Sequence, residues 1–177
     1  MIKVITVFFI TFIFVANVHS SDRAMDINEY NKELRLALTL YKESEYSKAL
    51  PELELYAKRG DKTAQYIVGT MYLNSQGTEQ DLMKSYAWLS VANEQKSKVW
   101  IKPLNMLESK LPSDYLENAQ VMAKSYIDSY GVKAQRMKCS NVKELGSRKP
   151  THSCSKMEVR KGHYYVDDET ENNIVGL

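Results

Sequence analysis

The stretch that decides the fold is AQYIVGTMYLNSQGTEQDLMKSYAWLSVA, residues 64–92. Its first half carries apolar side chains at helical spacing, namely Ala64, Ile67, Val68, Met71 and Tyr72. The tetrapeptide Asn74-Ser75-Gln76-Gly77 then interrupts the pattern with turn residues. A second apolar stripe follows, formed by Tyr86, Trp88, Leu89 and Ala92. The stretch therefore predicts two helices joined by a short loop.

The same spacing predicts further short helices on both sides of this stretch. Upstream, one helix is expected over 26–43, and a second has Ser47 as N-cap, Pro51 one turn inside and Gly60 past its end. Asp61 is expected to cap the helix that starts the central stretch, and the next helix covers 80–93. Downstream, a fifth helix is irregular at Pro103, and Pro112-Ser113 opens a sixth. Short helices with short connections are typical of stacked antiparallel pairs, so the predicted fold class is all-α.

Residues 64–92 resemble the Sel1-like repeat, a relative of the tetratricopeptide repeat. The positions that match the repeat are Ala64, Gly69, Tyr72, Gly77, Asp81, Lys84, Trp88 and Ala92. Ser75, Thr78 and Ser85 depart from its usual residues. The segments 85–95 and 111–123 also resemble the way short exported bacterial Sel1 proteins end. The resemblance covers roughly 26–130 and implies a short α-solenoid of about three antiparallel helix pairs.

The matching positions have structural roles in such a repeat. Small residues at Ala64 and Gly69 let paired helices approach closely, while Tyr72 and Trp88 fill the space between them. Gly77 supplies a turn in which φ is positive. Periodic aromatic residues of this kind usually pack in a core, so we interpret these eight positions as packing and turn residues rather than as a binding site.

The amino terminus has the pattern of a signal peptide. Lys3 precedes the uncharged apolar run 4–16, and Val18-His19-Ser20 forms an acceptable cleavage site. The run is shorter than the roughly 20 residues that a bilayer-spanning helix needs. We expect residues 1–20 to be removed after Ser20, which gives a periplasmic or secreted protein without a stable membrane span. The alternative is an uncleaved amino-terminal anchor.

Charge divides the chain that follows into two parts. The net charge of the whole sequence is only +2, which argues against a nucleic-acid coat protein. Residues 131–163, however, contain nine basic and two acidic side chains, whereas 21–130 is near neutral. We therefore expect a helical repeat domain over 21–130 and a basic carboxyl-terminal segment over 131–177 with a flexible acidic end. The side chains proposed to bind an anion are Arg148, Lys149, Lys156, Arg160 and Lys161.

The two cysteines, Cys139 and Cys154, both lie in the basic segment. In an exported protein an even pair is more often bridged than free, so we predict one intramolecular disulfide that closes a small irregular cap. Metal binding is the rival interpretation, because His152 and His163 are near in sequence. The spacing fits no usual zinc pattern, so no metal site is expected. Lys161-Gly162 is expected to turn a small hairpin between 157–159 and 163–166.

Catalytic chemistry has little support in this sequence. Residues 21–130 contain no His and no Cys, which excludes Ser-His-Asp and Cys-His arrangements there. The chain has no phosphate-binding glycine loop and no H-E-x-x-H pattern. We therefore expect no enzyme and no cofactor. Two functions stay open: a protein-protein interaction module of the bacterial envelope, and a protein that binds an anionic lipid or glycan through its basic segment.

Overall fold

Helices form most of the chain in the computed structural model, which describes residues 24–143, 146 and 149–166. The helices within these residues are α1 (Ile27–Lys42), α2 (Tyr46–Lys58), α3 (Lys62–Leu73), α4 (Leu82–Ala92), α5 (Ile101–Lys110) and α6 (Ser113–Tyr130). A single 3₁₀ turn, Asn93–Gln95, follows α4. The strands are β1 (Ala24–Asp26), β2 (Met137–Val142), β3 (Thr151–Lys156), β4 (Glu158–Arg160) and β5 (His163–Tyr165).

Aspartate caps fix the start of three helices. Asp26 Oδ1 accepts the amide of Asn28 at 2.8 Å, and Asp61 Oδ1 accepts that of Ala64 at 2.8 Å. Asp81 does the same for α4. Such caps satisfy amides that have no partner within the helix.

The helix α2 starts differently from the prediction. Ser47 was expected as its N-cap, but α2 begins at Tyr46, two residues earlier than that cap implies, and Glu45 is the cap residue without a side-chain cap hydrogen bond. Pro51 lies inside the helix with an exposed side chain. The sequence pattern therefore located α2 correctly but misplaced its first residue.

The core is built from two apolar clusters. One lies mainly between α1, α2 and α3, and includes Leu53, Tyr56 and Val68. The other joins α4, α5 and α6 through Leu89, Leu104 and Ala119. The first four helices form the two predicted pairs, α1 with α2 and α3 with α4. The third predicted pair differs, since α5 and α6 each pack against α4.

The fold is not purely all-α, because the segment predicted to be irregular forms strands. The hairpin β2–β3 is antiparallel from Met137↔Lys156 to Val142↔Thr151. The expected hairpin around Lys161-Gly162 is present as β4–β5, with Gly162 at a φ of +77°. β1 pairs with β5 from Ala24↔Tyr165 to Asp26↔His163 and makes a three-stranded sheet ordered β1-β5-β4. The missed strands left no periodic signal: β1 has only three residues, and β2 and β3 are mostly polar without apolar alternation.

We call the described residues after α6 (131–143, 146 and 149–166) the cap. The cap packs on the helices: Tyr164 meets the Tyr30 ring edge-on at 5.4 Å between centroids. A Cβ at Gly60 would lie 2.8 Å from Gln135 Cβ, so the α2–α3 turn and the cap are in close contact. The predicted signal peptide, residues 1–20, lies outside the described residues, and within them no helix has the length and apolar character needed to cross a bilayer.

Candidate functional site

The eight repeat positions lie in the core and at the helix ends of α3 and α4. The side chains of Ala64, Tyr72, Trp88 and Ala92 are buried, as is Gly69. A Cβ at Gly69 would lie 2.8 Å from Leu89 Cγ, so glycine permits the close approach of α3 and α4.

The remaining repeat positions are nearer the surface. Gly77 is exposed with a φ of +77°, and a Cβ there would meet the Tyr46 carbonyl. Asp81 and Lys84 form an ion pair at 3.8 Å, and the Lys84 ammonium lies 5.0 Å from the centre of the Tyr72 ring. These contacts hold the α3–α4 loop in place and leave no assembled chemical site.

Three tyrosine hydroxyls donate hydrogen bonds to carboxylates across helix boundaries. The pairs are Tyr56 with Glu33 at 2.8 Å, Tyr72 with Glu54 at 2.6 Å, and Tyr86 with Glu108 at 3.1 Å. Burial, and then the neighbouring carboxylate, raises the pKa of each tyrosine. The hydroxyls therefore stay protonated and act as donors through neutral pH.

A buried polar cluster, which we call the Lys62 node, joins the helices to the cap. The Lys62 side chain is 4% exposed, and its ammonium donates to Gln65 Oε1 at 2.9 Å and to the Val91 carbonyl at 3.2 Å. It also forms an ion pair with Glu94 Oε2 at 2.7 Å. Burial lowers the pKa of Lys62, against the opposing effect of Glu94.

The partners of Lys62 extend the node to the ends of other helices. Gln65 Nε2 donates to the Ala57 carbonyl at 2.8 Å and to the Tyr130 carbonyl at 3.0 Å. Glu94 Oε2 accepts the Val132 amide at 3.0 Å. Because these groups already have partners, the node is a structural junction and not a reactive site. This node was not identified from the sequence. The pattern that could have indicated it is a lysine and a glutamine three residues apart on an otherwise apolar helix.

The predicted disulfide between Cys139 and Cys154 is present, at directly opposed positions of β2 and β3. Two contacts fix this hairpin against the 3₁₀ turn after α4: the Cys154 amide donates to Gln95 Oε1 at 2.8 Å, and His152 Nδ1 lies 3.2 Å from the Gln95 carbonyl. His163 lies on β5 opposite Asp26. The four residues weighed as a metal cluster are therefore split, with three together and His163 apart.

The five basic residues proposed to bind an anion occupy different environments. Lys156 is half-buried, donates to the Arg59 carbonyl and lies 5.8 Å from the centre of the Tyr30 ring. Lys149, Arg160 and Lys161 are exposed, the last two around the β4–β5 turn. Arg148 lies outside the described residues. Of the proposed anion-binding residues that the structure describes, the consecutive Arg160 and Lys161 lie side by side at the surface.

A cleft of about 210 Å³ lies between α1, the start of α3 and the cap. Asp61, Lys62 and Lys156 line it, together with Tyr30, whose buried hydroxyl has no hydrogen-bond partner among the described residues. Burial raises the pKa of Asp61 against the opposing effect of its capping hydrogen bonds. Both lysines already have partners, so the cleft offers few groups to a ligand.

The outward stripe of α3 carries no charge. It consists of Thr63, Tyr66, Ile67 and Thr70, spaced as one side of a helix. Thr63 is exposed and the other three are half-buried, with Tyr66 and Ile67 also packing against the apolar clusters. Lys62, at the start of α3, is the charged residue of this helix and is buried. We call this stripe the α3 face.

Aromatic side chains flank the α3 face on both sides. Trp100 stacks on Tyr66 with ring centres 5.0 Å apart and planes 10° from parallel. On the other side, the Tyr41 hydroxyl interacts with Thr70. Val99, next to Trp100, is 61% exposed. The result is a half-exposed apolar and aromatic surface that crosses α1, α3 and the segment before α5.

Comparison with known proteins shows the fold. No protein-family model matches this sequence, and no curated protein matches it. The structure is similar to the crystal structure of c5321, a protective antigen present in uropathogenic Escherichia coli strains and displaying an SLR fold, with a TM-score of 0.53 and 22% identity. The match covers 66% of this chain and 27% of that one, so this chain spans about a quarter of its length. The helical part therefore has the Sel1-like repeat (SLR) fold.

Proposed function

We propose that this chain is a small exported Sel1-like repeat protein that binds a protein partner and catalyses no reaction. The family assignment is supported by the eight repeat positions and by the SLR fold of a structural relative. Helical repeats of this kind present extended surfaces on which partners dock. The fold and the uncharged α3 face together support a partner-binding function.

The uncharged α3 face is the observation that carries this proposal. A helix at the surface of a soluble protein normally shows charged side chains on its outward side. On α3 the outward residues include Tyr66 and Ile67, and the adjoining Trp100 is half-exposed. Cores of protein interfaces are depleted in charge and enriched in aromatic residues. The α3 face has that composition.

The chemistry of the described residues supports a non-enzymatic function. Residues 21–130 contain no His and no Cys. In the cap, both cysteines are in the disulfide, and His152 is engaged with the Gln95 carbonyl. The cleft beneath the cap contains lysines that already have partners. In the disulfide-bonded protein these side chains thus serve packing and cross-linking.

Export to the envelope is part of the same proposal. Its support is the signal-peptide pattern of residues 1–20 together with the disulfide, which is typical of oxidising compartments. Amino-terminal sequencing of the protein recovered from cells tests it. We expect the mature chain to begin at Ser21; a product that still begins at Met1 would favour the anchor.

A pull-down from envelope extract tests the α3 face. Trp100→Ala and Tyr66→Ala should each weaken capture of a bound protein at least tenfold relative to the unchanged chain, since interface aromatic residues often dominate binding. Leu36→Ala is the matched control, because Leu36 is an apolar residue of α1 that is 58% exposed and is not part of the α3 face. A partner lost equally with all three variants, or with none, would contradict binding through the α3 face.

Binding of an anionic lipid or glycan is the second candidate function. It is favoured by the exposure of Arg160 and Lys161 around one short turn of the cap. Charge-driven binding to anionic vesicles should weaken steeply as salt is raised, whereas binding at an apolar face should change little. Arg160→Glu with Lys161→Glu should abolish vesicle binding and leave the protein partner bound if the two functions are separate.

A further inference from the structure

The β2–β3 hairpin places three metal-ligating side chains on one face. Cys139 lies directly opposite Cys154, and His152 precedes Cys154 by two residues on the same strand. Residues two apart on a strand point to the same side. Accordingly, the two sulfur atoms and a ring nitrogen of His152 all lie within 4.8 Å of one another.

One ring nitrogen of His152 is engaged with the main chain. Its Nδ1 lies 3.2 Å from the Gln95 carbonyl oxygen, which only accepts hydrogen bonds. Nδ1 therefore carries the proton, and Nε2 keeps the lone pair that binds metals. Metal-ligating histidines characteristically donate their second ring N–H to a carbonyl or carboxylate in this way.

The hairpin also has contacts that hold these side chains without the sulfur-sulfur bond. The Cys154 amide donates to Gln95 Oε1 at 2.8 Å, and Cys154 is only 9% exposed. Strand pairing extends from Met137 to Val142 on β2. Breaking the disulfide therefore releases two sulfur ligands that stay close together.

We propose that Cys139, Cys154 and His152 bind a thiophilic cation such as Zn²⁺ when the disulfide is reduced. An external dithiol supplies two electrons and two protons and is itself oxidised to a disulfide, while the Cys139–Cys154 bond breaks to give two thiols. Zn²⁺ then displaces both thiol protons and forms two Zn–S bonds and one Zn–N bond, leaving the fourth position to water. Zinc bonds of about 2.0–2.3 Å place tetrahedral ligands about 3.3–3.8 Å apart. That is below the 4.8 Å within which the three ligand atoms lie in the disulfide-bonded protein.

The exposure of the disulfide and the chemistry of the three ligands are consistent with reduction followed by zinc binding. Cys139 is only half-buried, so the bridge is not sealed from solvent. Two sulfurs and one imidazole are a ligand set that favours zinc over magnesium or calcium. His163 takes no part, since it pairs with Asp26 in the other sheet.

Zinc titration of the reduced protein is the test. The disulfide is reduced with a phosphine, the reductant is removed without oxygen, and Zn²⁺ is added stepwise. We expect one zinc per chain by native mass spectrometry and at least tenfold slower alkylation of the two thiols once zinc is bound. The oxidised protein should bind at least a hundredfold more weakly. No uptake by the reduced protein, or equal uptake by both forms, would overturn the proposal.

The two histidines of the cap provide matched variants. His152→Ala should weaken zinc binding at least tenfold, whereas His163→Ala should change it less than twofold. Far-UV circular dichroism checks that both variants keep the helical fold. The comparison of zinc binding by the oxidised and the reduced unchanged protein tests the proposal without any substitution. Equal effects of the two substitutions, or none from His152→Ala, would assign zinc to the thiols alone and overturn the three-ligand site.

Discussion

The two tryptophans occupy different environments, which gives a direct test at the scale of single residues. Trp88 is 2% exposed and packs against Tyr126 and Tyr130, with ring centres 4.9 and 5.2 Å away. Trp88→Ala should lower the free energy of unfolding by about 3–5 kcal/mol, because it leaves a large cavity between α4 and α6. Trp100→Ala, at a half-buried site, should cost less than about 2 kcal/mol. Urea unfolding followed by circular dichroism measures both, and similar costs would mean that Trp88 does not anchor the core.

Tyrosines with raised pKa values predict a loss of stability at alkaline pH. Burial raises the pKa of Tyr126 to about 12, and burial with a carboxylate partner raises that of Tyr72 further. In the unfolded chain these hydroxyls ionise near pH 10, whereas in the folded protein they keep their protons. The folded state therefore binds more protons above pH 10, and the free energy of unfolding must fall as pH rises from 10 to 12.

Urea midpoints at pH 8, 10 and 11 measure this loss. Lys62, whose pKa is lowered by burial, acts in the opposite direction, because its unfolded form binds more protons below about pH 10.5. The tyrosines outnumber it, so a net decrease is expected above pH 10. Tyr72→Phe should reduce the decrease, and a midpoint that stays constant up to pH 11 would contradict the assignment.

At the scale of elements, the disulfide and the helices should respond separately to reduction. The bridge closes a loop with a sequence separation of 15, which corresponds to about 3 kcal/mol in the loop-entropy model. The helices have their own apolar clusters, which contain no cysteine. Reduction followed by thiol alkylation should therefore leave the helical signal in far-UV circular dichroism within about a tenth of its value, while the cap amides exchange faster with deuterium. Loss of the helical signal would show that the bridge supports the whole fold.

The ends of the elements show what the sequence can and cannot predict. Asp61 was predicted as a cap because an aspartate directly before an apolar stretch of helical period is a typical N-cap, and its side chain accepts the Ala64 amide as expected. Gly131 directly follows α6, where a glycine commonly ends a helix with a positive φ, yet its φ is −75°. Glycine is needed there because a Cβ would meet the Ile127 carbonyl and lie 3.1 Å from Glu94. That requirement arises from a contact between distant parts of the chain and leaves no local signal.

For the whole molecule, local sequence signals predict the helices, whereas contacts between distant residues decide the structure of the cap. Helix positions followed from apolar spacing over 10 residues or more, which is why the helical body was predicted closely. The strand β1 has three residues, and its partner β5 lies near the other end of the described chain. The Lys62 node likewise joins residues 32 positions apart through Glu94. Such long-range pairings are decided by tertiary packing rather than by local sequence.

These long-range contacts predict that the cap and the helices do not separate at Tyr130. Removing residues 131–177 takes the Val132 amide from Glu94 and uncovers Tyr30, which is 2% exposed in the intact protein. It also removes the partner strand of β1 and the packing of Gln135 on Gly60. The loss of a hydrogen bond to a charged group and the exposure of a buried tyrosine should together lower the free energy of unfolding by about 3–6 kcal/mol.

We therefore expect truncation after Tyr130 to lower the melting temperature by about 10 °C or more, and by more than reduction of the disulfide does. Reduction removes one cross-link but leaves Val132, β5 and Gln135 in the chain, so the contacts between cap and helices can persist. Melting curves of the intact, reduced and truncated proteins at one pH and concentration give the comparison. A truncated chain that melts at the same temperature as the reduced protein would mean that the cap is an independent appendage, and that binding experiments on residues 21–130 alone report on the native α3 face.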